Sequence, residues 1–559
     1  MNVIDVVTHR MHVPTRLPGS PLRNFIADCP LSRIREPNLR RKTPAGVQFL
    51  LIGTLSHQLD IFRITAQEHV LSTSVSENPP KPEGGDADTV AGVPRSRIVV
   101  ASMVGTSIEF YDFYIYATAA VSVFPHLFFP KGNDTTALLA SLATFGLAFV
   151  ARPPLGSILF GHFGDRVGRK ATLVGSLLTM GIATFLIGLL PTYHQIGLLA
   201  PALLALMRFC QGLGLGGEWS GAALLATETA KEGKRAWAAM WPQLGAPIGF
   251  FMANGLFLII TLFMNHDNSS PDLEGAFLSW GWRIPFLLSA IMVMIGLYVR
   301  LKLEETPPVF ARAVERGEKV KTPVAEVFKT SWRQLIIGTF VMLATYTLFY
   351  IMTTWVLSHG TGKTAADGGT GAGFKYTDFL VLQLIAVVFF AAAVPVSGWL
   401  ADRYGRRITL LIITGLIMVF GLTFGVFLEP DGMNDGRMLA FLIVGMLLMG
   451  LTFGPMSAVL PELFPTNVRY TGSGIAYNTA SILGAAVAPF IAVYLAKNYG
   501  VGWVGIYLLV AATLTFVALL VMRETKGESL DDVGGITLLC AFINPPRRLI
   551  KAHSSCQGS

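Results

Sequence analysis

Apolar runs of about 20 residues recur along the chain from Ile98 to Met522, and short polar stretches separate them. A helix of that length crosses the ~30 Å hydrocarbon core of a bilayer, because each residue adds ~1.5 Å of rise. The pattern therefore predicts an all-α membrane protein with twelve transmembrane helices. We place them at residues 97–124, 135–162, 171–191, 196–226, 236–264, 280–302, 335–357, 377–400, 408–428, 437–461, 471–496 and 502–522.

The composition agrees with a membrane protein. Hydrophobic residues make up 52% of the 559 residues and charged residues only 14%, whereas soluble chains average about 25% charged residues. The net charge of +8 is what basic cytoplasmic loops produce, so it does not call for a nucleic-acid partner. The four cysteines form no CxxC pair and indicate neither a disulfide framework nor a metal site.

The two ends of the chain differ from the apolar middle. Residues 1–95 are rich in Arg, Pro, Ser and Asp, and their one apolar patch, Val47 to Gly53, is too short to span a bilayer. We predict a disordered cytoplasmic extension there, or sequence translated upstream of the true start. Residues 523–559 are predicted to form a short cytoplasmic tail.

Basic residues are concentrated in alternate connections between the spans, namely the second, fourth, sixth and eighth. Positively charged loops stay in the cytoplasm, so both termini and these connections are predicted to lie there. We expect a multi-pass protein of the inner (plasma) membrane. The residues concerned are Arg166, Arg169, Lys170, Lys231, Lys234, Arg235, Arg312, Arg316, Lys319, Lys321, Lys329, Arg333, Arg403, Arg406 and Arg407.

A short glycine-rich basic motif occurs twice. Gly164 to Lys170 reads GDRVGRK, and a weaker copy, ADRYGRR, begins at Ala401, 237 residues later (401 − 164). The same offset carries the first span onto the seventh and the fourth onto the tenth. The sequence therefore predicts two six-helix halves, 96–302 and 335–522, joined by a central cytoplasmic loop at 303–334. A parallel repeat of this kind places a central site between the halves.

The chain resembles the major facilitator superfamily and, more narrowly, the metabolite:proton symporters, which include proline/betaine, 2-oxoglutarate, shikimate and citrate carriers. The GDRVGRK motif carries the first resemblance. The second is carried by IEFYDF at Ile108, ARP at Ala151, RFCQG at Arg208, GEW at Gly217, WRIPF at Trp282, ETP at Glu305, ELFP at Glu462 and VRYTG at Val468. The resemblance implies proton-coupled symport of a small polar metabolite by alternating access, with no enzymatic activity and no cofactor beyond the proton gradient.

Glu109 and Asp112 are the most distinctive pair in the spans. They are three residues apart, which places them on one helix face, and Glu109 lies ~18 Å into its helix, close to the middle of the bilayer. A carboxylate at that depth costs roughly 2.5–3.5 kcal/mol, so it should face a cavity or a partner. We predict a proton-coupling role for the pair; a structural pair tied to an arginine is the alternative.

Arg208 is also near mid-bilayer, and Gln211 follows on the same face. We expect Arg208 to pair with Glu109 or Asp112 and to couple substrate to proton, with Arg208 and Gln211 contacting substrate. Arg152 lies nearer the cytoplasmic end, where it either binds substrate or extends its charge toward water. In the second half, Tyr346, Gln383, Tyr477 and Asn478 are predicted to line the cavity, with Tyr350 and Trp355 as further candidates.

The two basic motifs and the charges near them are predicted to form a cytoplasmic gate between the halves. The resemblance implies that this latch breaks when the carrier opens inward; a topology anchor is the plainer interpretation and is compatible with it. The predicted gate residues are Gly164, Asp165, Arg166, Gly168, Arg169, Glu218, Asp402, Arg403, Arg406, Glu462 and Arg469.

The substrate itself stays open at the level of sequence. Two arginines at depth favour an organic acid or a zwitterion, such as 2-oxoglutarate, shikimate or proline/betaine. We expect a monomer in the lipid bilayer. An exporter working by proton antiport is the alternative of the same fold. A membrane-embedded enzyme is disfavoured, because the spans contain almost no histidine. A receptor is disfavoured, because it would lack the paired halves and would need no buried carboxylates.

Overall fold

The computed structural model describes residues 89–90, 93–130, 134–152, 169–214, 223–224, 226–227, 230–231, 233–264, 275–302, 323–364, 369–429, 433–466 and 468–527. Across these ranges twelve apolar helices follow one another, which confirms the predicted fold. They are α1 (Arg95–Ser122), α2 (Asp134–Ala151), α3 (Arg169–Leu189), α4 (Leu199–Gly214), α5 (Arg235–Met264), α6 (Arg283–Lys302), α7 (Trp332–Thr361), α8 (Tyr376–Tyr404), α9 (Arg406–Leu422), α10 (Asp435–Glu462), α11 (Arg469–Tyr499) and α12 (Val501–Val521).

Smaller elements accompany these helices. A two-residue antiparallel pair, β1 (Thr89–Val90) and β2 (Val93–Pro94), precedes α1. The last part of the predicted central loop contains a short helix, Pro323–Thr330, whose Val327 is fully buried. The predicted extension before residue 89, the loop at 303–322 and the tail beyond residue 527 lie outside the described residues.

The bundle has the surface of a membrane protein. Eight of its described helical segments are long and apolar enough to cross a bilayer, and two shorter apolar helices lie in α3 and α4. Large apolar side chains point away from the bundle; Phe263 is 81% exposed and Val426 69% exposed. Exposed groups of this kind are stable in hydrocarbon and would be costly in water.

Helix packing repeats with a shift of six. In the first half α1 packs on α5, α2 on α4 and α3 on α6; in the second half α7 packs on α11, α8 on α10 and α9 on α12. The contacts between the halves obey the same symmetry, since α5 packs on α8 and α11 packs on α2. The two halves inferred from the 237-residue offset are therefore present as two similar helix bundles.

Small residues allow the closest of these crossings. A Cβ placed on Gly249 of α5 would lie 2.7 Å from the backbone nitrogen of Tyr111 in α1. On Gly212 of α4 it would lie 2.4 Å from the carbonyl oxygen of Ala148 in α2. Such close backbone approach is how helices gain packing contacts in a bilayer, and it fixes α4 against α2 next to the buried polar groups of the first half.

Candidate substrate-transport site

A cavity of ≈ 30 Å³ lies between the two halves. Since one water occupies about 10–15 Å³ on this measure, the cavity has room for about two. Both halves contribute to its wall, which mixes two opposite charges, hydroxyl groups and aromatic rings. The lining residues are Glu109, Phe110, Phe113 and Arg152 from the first half and Thr345, Tyr346, Phe349, Tyr350, Phe453 and Tyr477 from the second.

Two of the helices that the second half of the chain contributes to the cavity wall depart locally from α-helical geometry. In α7 the segment Ile351–Trp355 is π-helical, and in α11 the segment Ile482–Ala486 is π-helical. A π-turn inserts one residue into the helical repeat and is frequent at functional sites. Tyr350 immediately precedes the first of these segments, so the irregularity borders the cavity wall.

Arg152 supplies the positive charge of the cavity. Its side chain is 8% exposed, and its guanidinium carbon lies 5.2 Å from the ring centroid of Phe149 and 5.5 Å from that of Phe113. Its Nε is buried and makes no hydrogen bond with any described residue. A buried donor left unsatisfied costs ~1–3 kcal/mol, so this N–H is suited to an anion that enters the cavity.

The acidic pair of α1 is divided between two environments. Glu109 lines the cavity, as expected for a carboxylate at that depth. Asp112 is 1% exposed and lies outside the cavity wall, where it accepts hydrogen bonds from Ser289 Oγ of α6 at 2.6 Å and Thr184 Oγ1 of α3 at 3.2 Å. One carboxylate can therefore meet substrate and the other is bound by hydroxyl groups.

Arg208 has no acidic partner among the described residues, contrary to the expected pairing with Glu109 or Asp112. It is fully buried; Nε donates to the carbonyl of Phe145 at 3.3 Å and Nη1 to Gln211 Oε1 at 3.0 Å. Three rings surround the guanidinium: Tyr116 at 4.0 Å, Phe113 at 4.6 Å and Phe145 at 4.8 Å. Each cation–π contact contributes up to ~2 kcal/mol when desolvated, so together they can offset a burial cost of ~2.5–3.5 kcal/mol without an ion pair.

Gln211 extends the contacts of Arg208 toward α3. Its Nε2 donates to Thr184 Oγ1 at 2.6 Å, and the Thr184 hydroxyl in turn reaches Asp112. Arg208 and Asp112 are thus joined through two intervening side chains. Thr184 and Ser289 were not singled out in the sequence; a lone hydroxyl residue in an apolar run is too common there to be a signal.

The remaining predicted cavity residues have mixed positions. Tyr346 and Tyr477 line the cavity, and their ring centroids are 5.3 Å apart. Gln383 does not; it is fully buried and its Nε2 donates to the carbonyl of Met352 at 3.4 Å. Asn478 is buried but is absent from the wall, and Trp355 stacks on His359 instead.

One face of the bundle, where α1 begins and α12 ends, holds the predicted gate; we call it the terminal face. Asp402 at the end of α8 accepts hydrogen bonds from the backbone nitrogens of Ala236 at 3.0 Å and Trp237 at 2.8 Å. These N–H groups begin α5, so a carboxylate of the second half caps a helix of the first. Ser457 and Gln243 add contacts between the halves, donating to the carbonyls of Ala239 at 2.5 Å and Phe453 at 3.0 Å.

A buried ion pair lies next to this cap. Glu462 and Arg406 are joined at 3.2 Å, each side chain 3% exposed, and Arg406 also pairs with Asp402 at 3.2 Å. Arg235 of the first half reaches Glu462 at 4.0 Å. These charges therefore form one cluster that spans both halves.

Two predicted gate residues contribute differently. Arg403 is exposed, and its guanidinium lies 5.3 Å from the ring of Trp399, outside the ion-pair cluster. Arg469 is buried and donates to the carbonyls of Pro461 and Phe464, both at 3.2 Å, so it fixes the end of α10. Gly164, Asp165, Arg166, Gly168 and Glu218 lie outside the described residues, and for Arg169 only its place at the start of α3 is described.

Sequence reasoning missed the segment that follows α12. Glu524 accepts hydrogen bonds from the backbone nitrogens of Arg406 at 2.8 Å and Arg407 at 3.0 Å, capping α9. Thr525 Oγ1 donates to Glu462 at 2.5 Å. The signal available was an acidic residue close behind the last span, since helix N-termini attract carboxylates.

The opposite face is closed by weaker contacts between the halves. Lys363 Nζ lies 3.0 Å from Asp134 Oδ2, with the side chains 70% and 76% exposed, and Lys497 Nζ donates to Thr135 Oγ1 at 2.9 Å. Exposed ion pairs contribute only about 0.2–1 kcal/mol. The charged contacts between the halves are therefore largely buried on the terminal face and solvent-exposed on the opposite face.

Comparison with known proteins gives one consistent result. The family model for "Sugar (and other) transporter" matches residues 98–535. The inner membrane metabolite transport protein YhjE of Escherichia coli K12 is 56% identical over 436 residues, which cover 78% of this chain and 96% of that protein. The shikimate transporter of the same organism is 32% identical over 459 residues, covering 81% and 99%.

Solved structures agree on the fold. The proton:xylose symporter XylE, bound to 6-bromo-6-deoxy-D-glucose, superimposes with a TM-score of 0.58 at 17% identity, covering 78% of this chain and 98% of that one. At this identity the likeness concerns the fold alone. The family match covers most of the chain, and the likeness in fold agrees with it. The protein therefore belongs to the sugar (and other) transporter family of the major facilitator superfamily and is a membrane transporter of small molecules.

Proposed function

We propose that the protein is a proton-coupled symporter that imports a small organic acid or zwitterion by alternating access, with both termini and the terminal face in the cytoplasm. The observation that carries this proposal is the central cavity, where Arg152 and Glu109 are brought together with hydroxyl groups from the second half. A site that holds one buried cation and one buried carboxylate suits a substrate with a carboxylate and a proton-dependent binding step.

Arg152 is the residue that we assign to the substrate carboxylate. The Nε–H of Arg152 makes no hydrogen bond with a described residue. Three tyrosines, Tyr346, Tyr350 and Tyr477, line the same cavity and carry hydroxyl groups. Aromatic faces on Phe349 and Phe453 would contact the apolar part of a small substrate. Arg208 is absent from the wall, so among the described residues a single arginine lines the cavity, which favours one substrate carboxylate over two.

The size of the cavity requires the halves to move. A space of ≈ 30 Å³ cannot hold a metabolite, so binding must widen it from one face or the other. The exposed pairs Lys363–Asp134 and Lys497–Thr135 cost little to separate. Toward the terminal face the halves are joined by buried hydrogen bonds from Ser457 and Gln243. Opening at the opposite face is the easier motion from this conformation, as expected of an importer awaiting substrate from outside.

Relatives support a choice of substrates to test. Proteins 31–32% identical to this chain are a shikimate transporter and proline/betaine transporters. The experiment is uptake into proteoliposomes under an imposed inward proton gradient, with radiolabelled shikimate, 2-oxoglutarate, proline and glycine betaine. We expect accumulation of a carboxylate-bearing substrate that a protonophore abolishes. Accumulation that a protonophore does not change would overturn proton symport, and efflux driven by the same gradient would indicate an exporter.

A further inference from the structure

A continuous chain of hydrogen bonds joins Asp112 to Arg208 through the interior of the first half. From Arg208 Nη1 to Gln211 Oε1 the distance is 3.0 Å, from Gln211 Nε2 to Thr184 Oγ1 it is 2.6 Å, and from Thr184 Oγ1 to Asp112 Oδ2 it is 3.2 Å. All four side chains are at most 1% exposed. The chain therefore runs through a region without competing water.

The Thr184 hydroxyl is the one link in this chain that can reverse. It has a single proton and two acceptors in reach, Asp112 Oδ2 at 3.2 Å and the carbonyl oxygen of Met180 at 2.9 Å. When Asp112 is ionised it can only accept, so Thr184 donates to it. When Asp112 carries a proton on Oδ2, that O–H donates to Thr184 Oγ1, and the threonine proton turns to Met180.

Reversal of the Thr184 hydroxyl changes the hydrogen bond that Gln211 donates to it. The oxygen of Thr184 already accepts from Gln211 Nε2, and in the protonated state it must accept from Asp112 as well. The two lone pairs can accept from both donors, but the hydroxyl no longer donates to an anion, so the cooperative strengthening of the hydrogen bond from Gln211 is lost. Gln211 Oε1 is one of only two hydrogen-bond acceptors of Arg208 among the described residues, so the guanidinium is loosened with it.

The charged and titratable groups described around Asp112 do not replace any hydrogen bond of the chain from Asp112 to Arg208. On its own helix the neighbours are Glu109 and Tyr111, and the Tyr111 hydroxyl is engaged by the carbonyl of Pro285 at 2.9 Å. The neutral Ser289 of α6 donates a hydrogen bond to Asp112 Oδ1 at 2.6 Å, and Thr184 of α3 donates to Asp112 Oδ2. The cation nearest along the hydrogen-bond chain is Arg208 on α4.

We propose that Thr184 is a positioning residue that transmits the protonation state of Asp112 to Arg208, through reversal of its own hydrogen bond and weakening of the hydrogen bond that it accepts from Gln211. Arg208 lies 4.6 Å from the ring of Phe113, which lines the cavity together with Arg152. Movement of Arg208 therefore alters one wall of the cavity. This inference rests on the proposed proton symport and names the side chains through which proton and substrate are coupled.

The first test needs no substrate. Infrared difference spectra of the purified protein, recorded across a pH titration, reveal the C=O stretch of a protonated carboxylic acid; the band lost in Asp112→Asn belongs to Asp112. We expect Thr184→Val, which keeps the shape and removes the hydroxyl, to move that band to higher frequency, and Thr184→Ser to restore it. An unchanged band in Thr184→Val, or the absence of any Asp112 band, overturns the inference.

The second test measures coupling with whichever of shikimate, 2-oxoglutarate, proline or glycine betaine the wild type accumulates. We expect Thr184→Val to retain counterflow exchange at fixed pH while its gradient-driven accumulation falls about tenfold, within the usual range of coupling between two sites. Thr184→Ser should recover accumulation. Thr179→Val is the control, because Thr179 is also on α3 but donates only to the carbonyl of Gly175 at 2.7 Å.

The outcomes separate the two proposals. If the wild type shows no gradient-driven accumulation of any substrate, proton symport fails, while the infrared result still decides whether Thr184 bonds to protonated Asp112. If the wild type accumulates substrate and Thr184→Val does so equally, the inference fails and symport stands. Equal loss of counterflow and accumulation in a folded Thr184→Val would assign the residue to the scaffold and likewise overturn the inference.

Discussion

The carboxylate of Asp402 accepts a hydrogen bond from the backbone nitrogen of Ala236 at 3.0 Å, and this contact joins the end of α8 in one half to the start of α5 in the other. A helix N-terminus carries unsatisfied N–H groups and a partial positive charge, so an acceptor from the partner bundle serves as its cap. The contact persists only while the halves are closed on the terminal face.

Replacing Asp402 with Asn should therefore favour opening of that face. The change keeps a capping acceptor, because Asn caps about as well as Asp, but it removes the negative charge at the helix N-terminus, which is worth ~0.3–1 kcal/mol or a roughly two- to fivefold shift of the open-to-closed ratio. Spin labels at Trp237 and Tyr404, both exposed, report the separation by electron–electron distance measurement in a cysteine-free background. We expect a longer distance to gain population, whereas Asp378→Asn at the other end of α8 should leave the distribution unchanged. An unaltered distribution in Asp402→Asn would show that the cap does not hold the face closed.

Replacing Arg152 with Lys tests the substrate assignment. Lysine keeps the charge but loses the planar set of donors, so we expect KM for a carboxylate substrate to rise about tenfold, with a smaller change in the maximal rate. Initial rates of uptake in proteoliposomes give both quantities. Arg333→Lys is the control, because Arg333 is exposed, stacks on Trp332 and lies on α7 twelve residues (345 − 333) before Thr345, the first cavity residue of that helix. Equal KM values in Arg152→Lys and wild type contradict the assignment.

Replacing Asp112 with Asn tests the proton site. The amide keeps the size of the carboxyl group and cannot take up a proton, so we expect gradient-driven accumulation to be lost while the protein still inserts and exchanges substrate. Accumulation and counterflow measured on the same vesicles separate these effects. Asp435→Asn at the exposed start of α10 should behave as wild type. Full accumulation by Asp112→Asn would remove Asp112 from the coupling mechanism.

The buried pair Glu462–Arg406 should be more important for the stability of the fold than for substrate binding. Removing one partner of a buried ion pair costs ~3–5 kcal/mol where the other charge is left alone. Asp402 stays beside Arg406, so we expect a smaller loss for Glu462→Gln. We expect Glu462→Gln to lower the thermal unfolding midpoint in detergent clearly, and Glu462→Gln combined with Arg406→Gln to recover part of the loss. A double variant as unstable as the sum of the single ones would show that the two charges do not interact.

Gly212 tests the close crossing of α4 and α2. A methyl group there would meet the carbonyl oxygen of Ala148 at 2.4 Å, so Gly212→Ala should destabilise the fold by ~1–3 kcal/mol. Gly415 on α9 has nothing within 4 Å of an added Cβ, so Gly415→Ala should be neutral or stabilising through helix propensity. Thermal unfolding of both variants is the measurement, and equal loss at the two positions would contradict the packing argument.

The sequence predicted the fold well because hydrophobic length and repeat offset are properties of the chain alone. The twelve spans and the two halves follow from them. The burial of Glu109 was also predictable, since a charge at mid-bilayer has to face a cavity or a partner. For Arg152, which lies nearer the cytoplasmic end, the sequence left open whether it binds substrate or extends toward water.

The partners of the buried charges were harder to predict. Arg208 was expected to need a carboxylate, yet the rings of Phe113, Tyr116 and Phe145 and the Gln211 amide surround it. Which side chain fills the space beside a guanidinium depends on helix rotation and crossing, which periodicity does not specify. The same reason explains why Gln383 was predicted to line the cavity and why Glu524 was missed.

The ion pairs on the terminal face are buried and the pair on the opposite face is exposed, so the two faces respond differently to ionic strength. Charges in water are screened over about 8 Å at physiological salt and over about 3 Å at 1 M, whereas buried charges are screened far less. Salt on the opposite face therefore weakens the exposed Lys363–Asp134 pair and leaves the Arg406–Glu462 pair nearly intact. A rise in salt concentration on the opposite face is thus expected to shift the resting protein toward opening of that face.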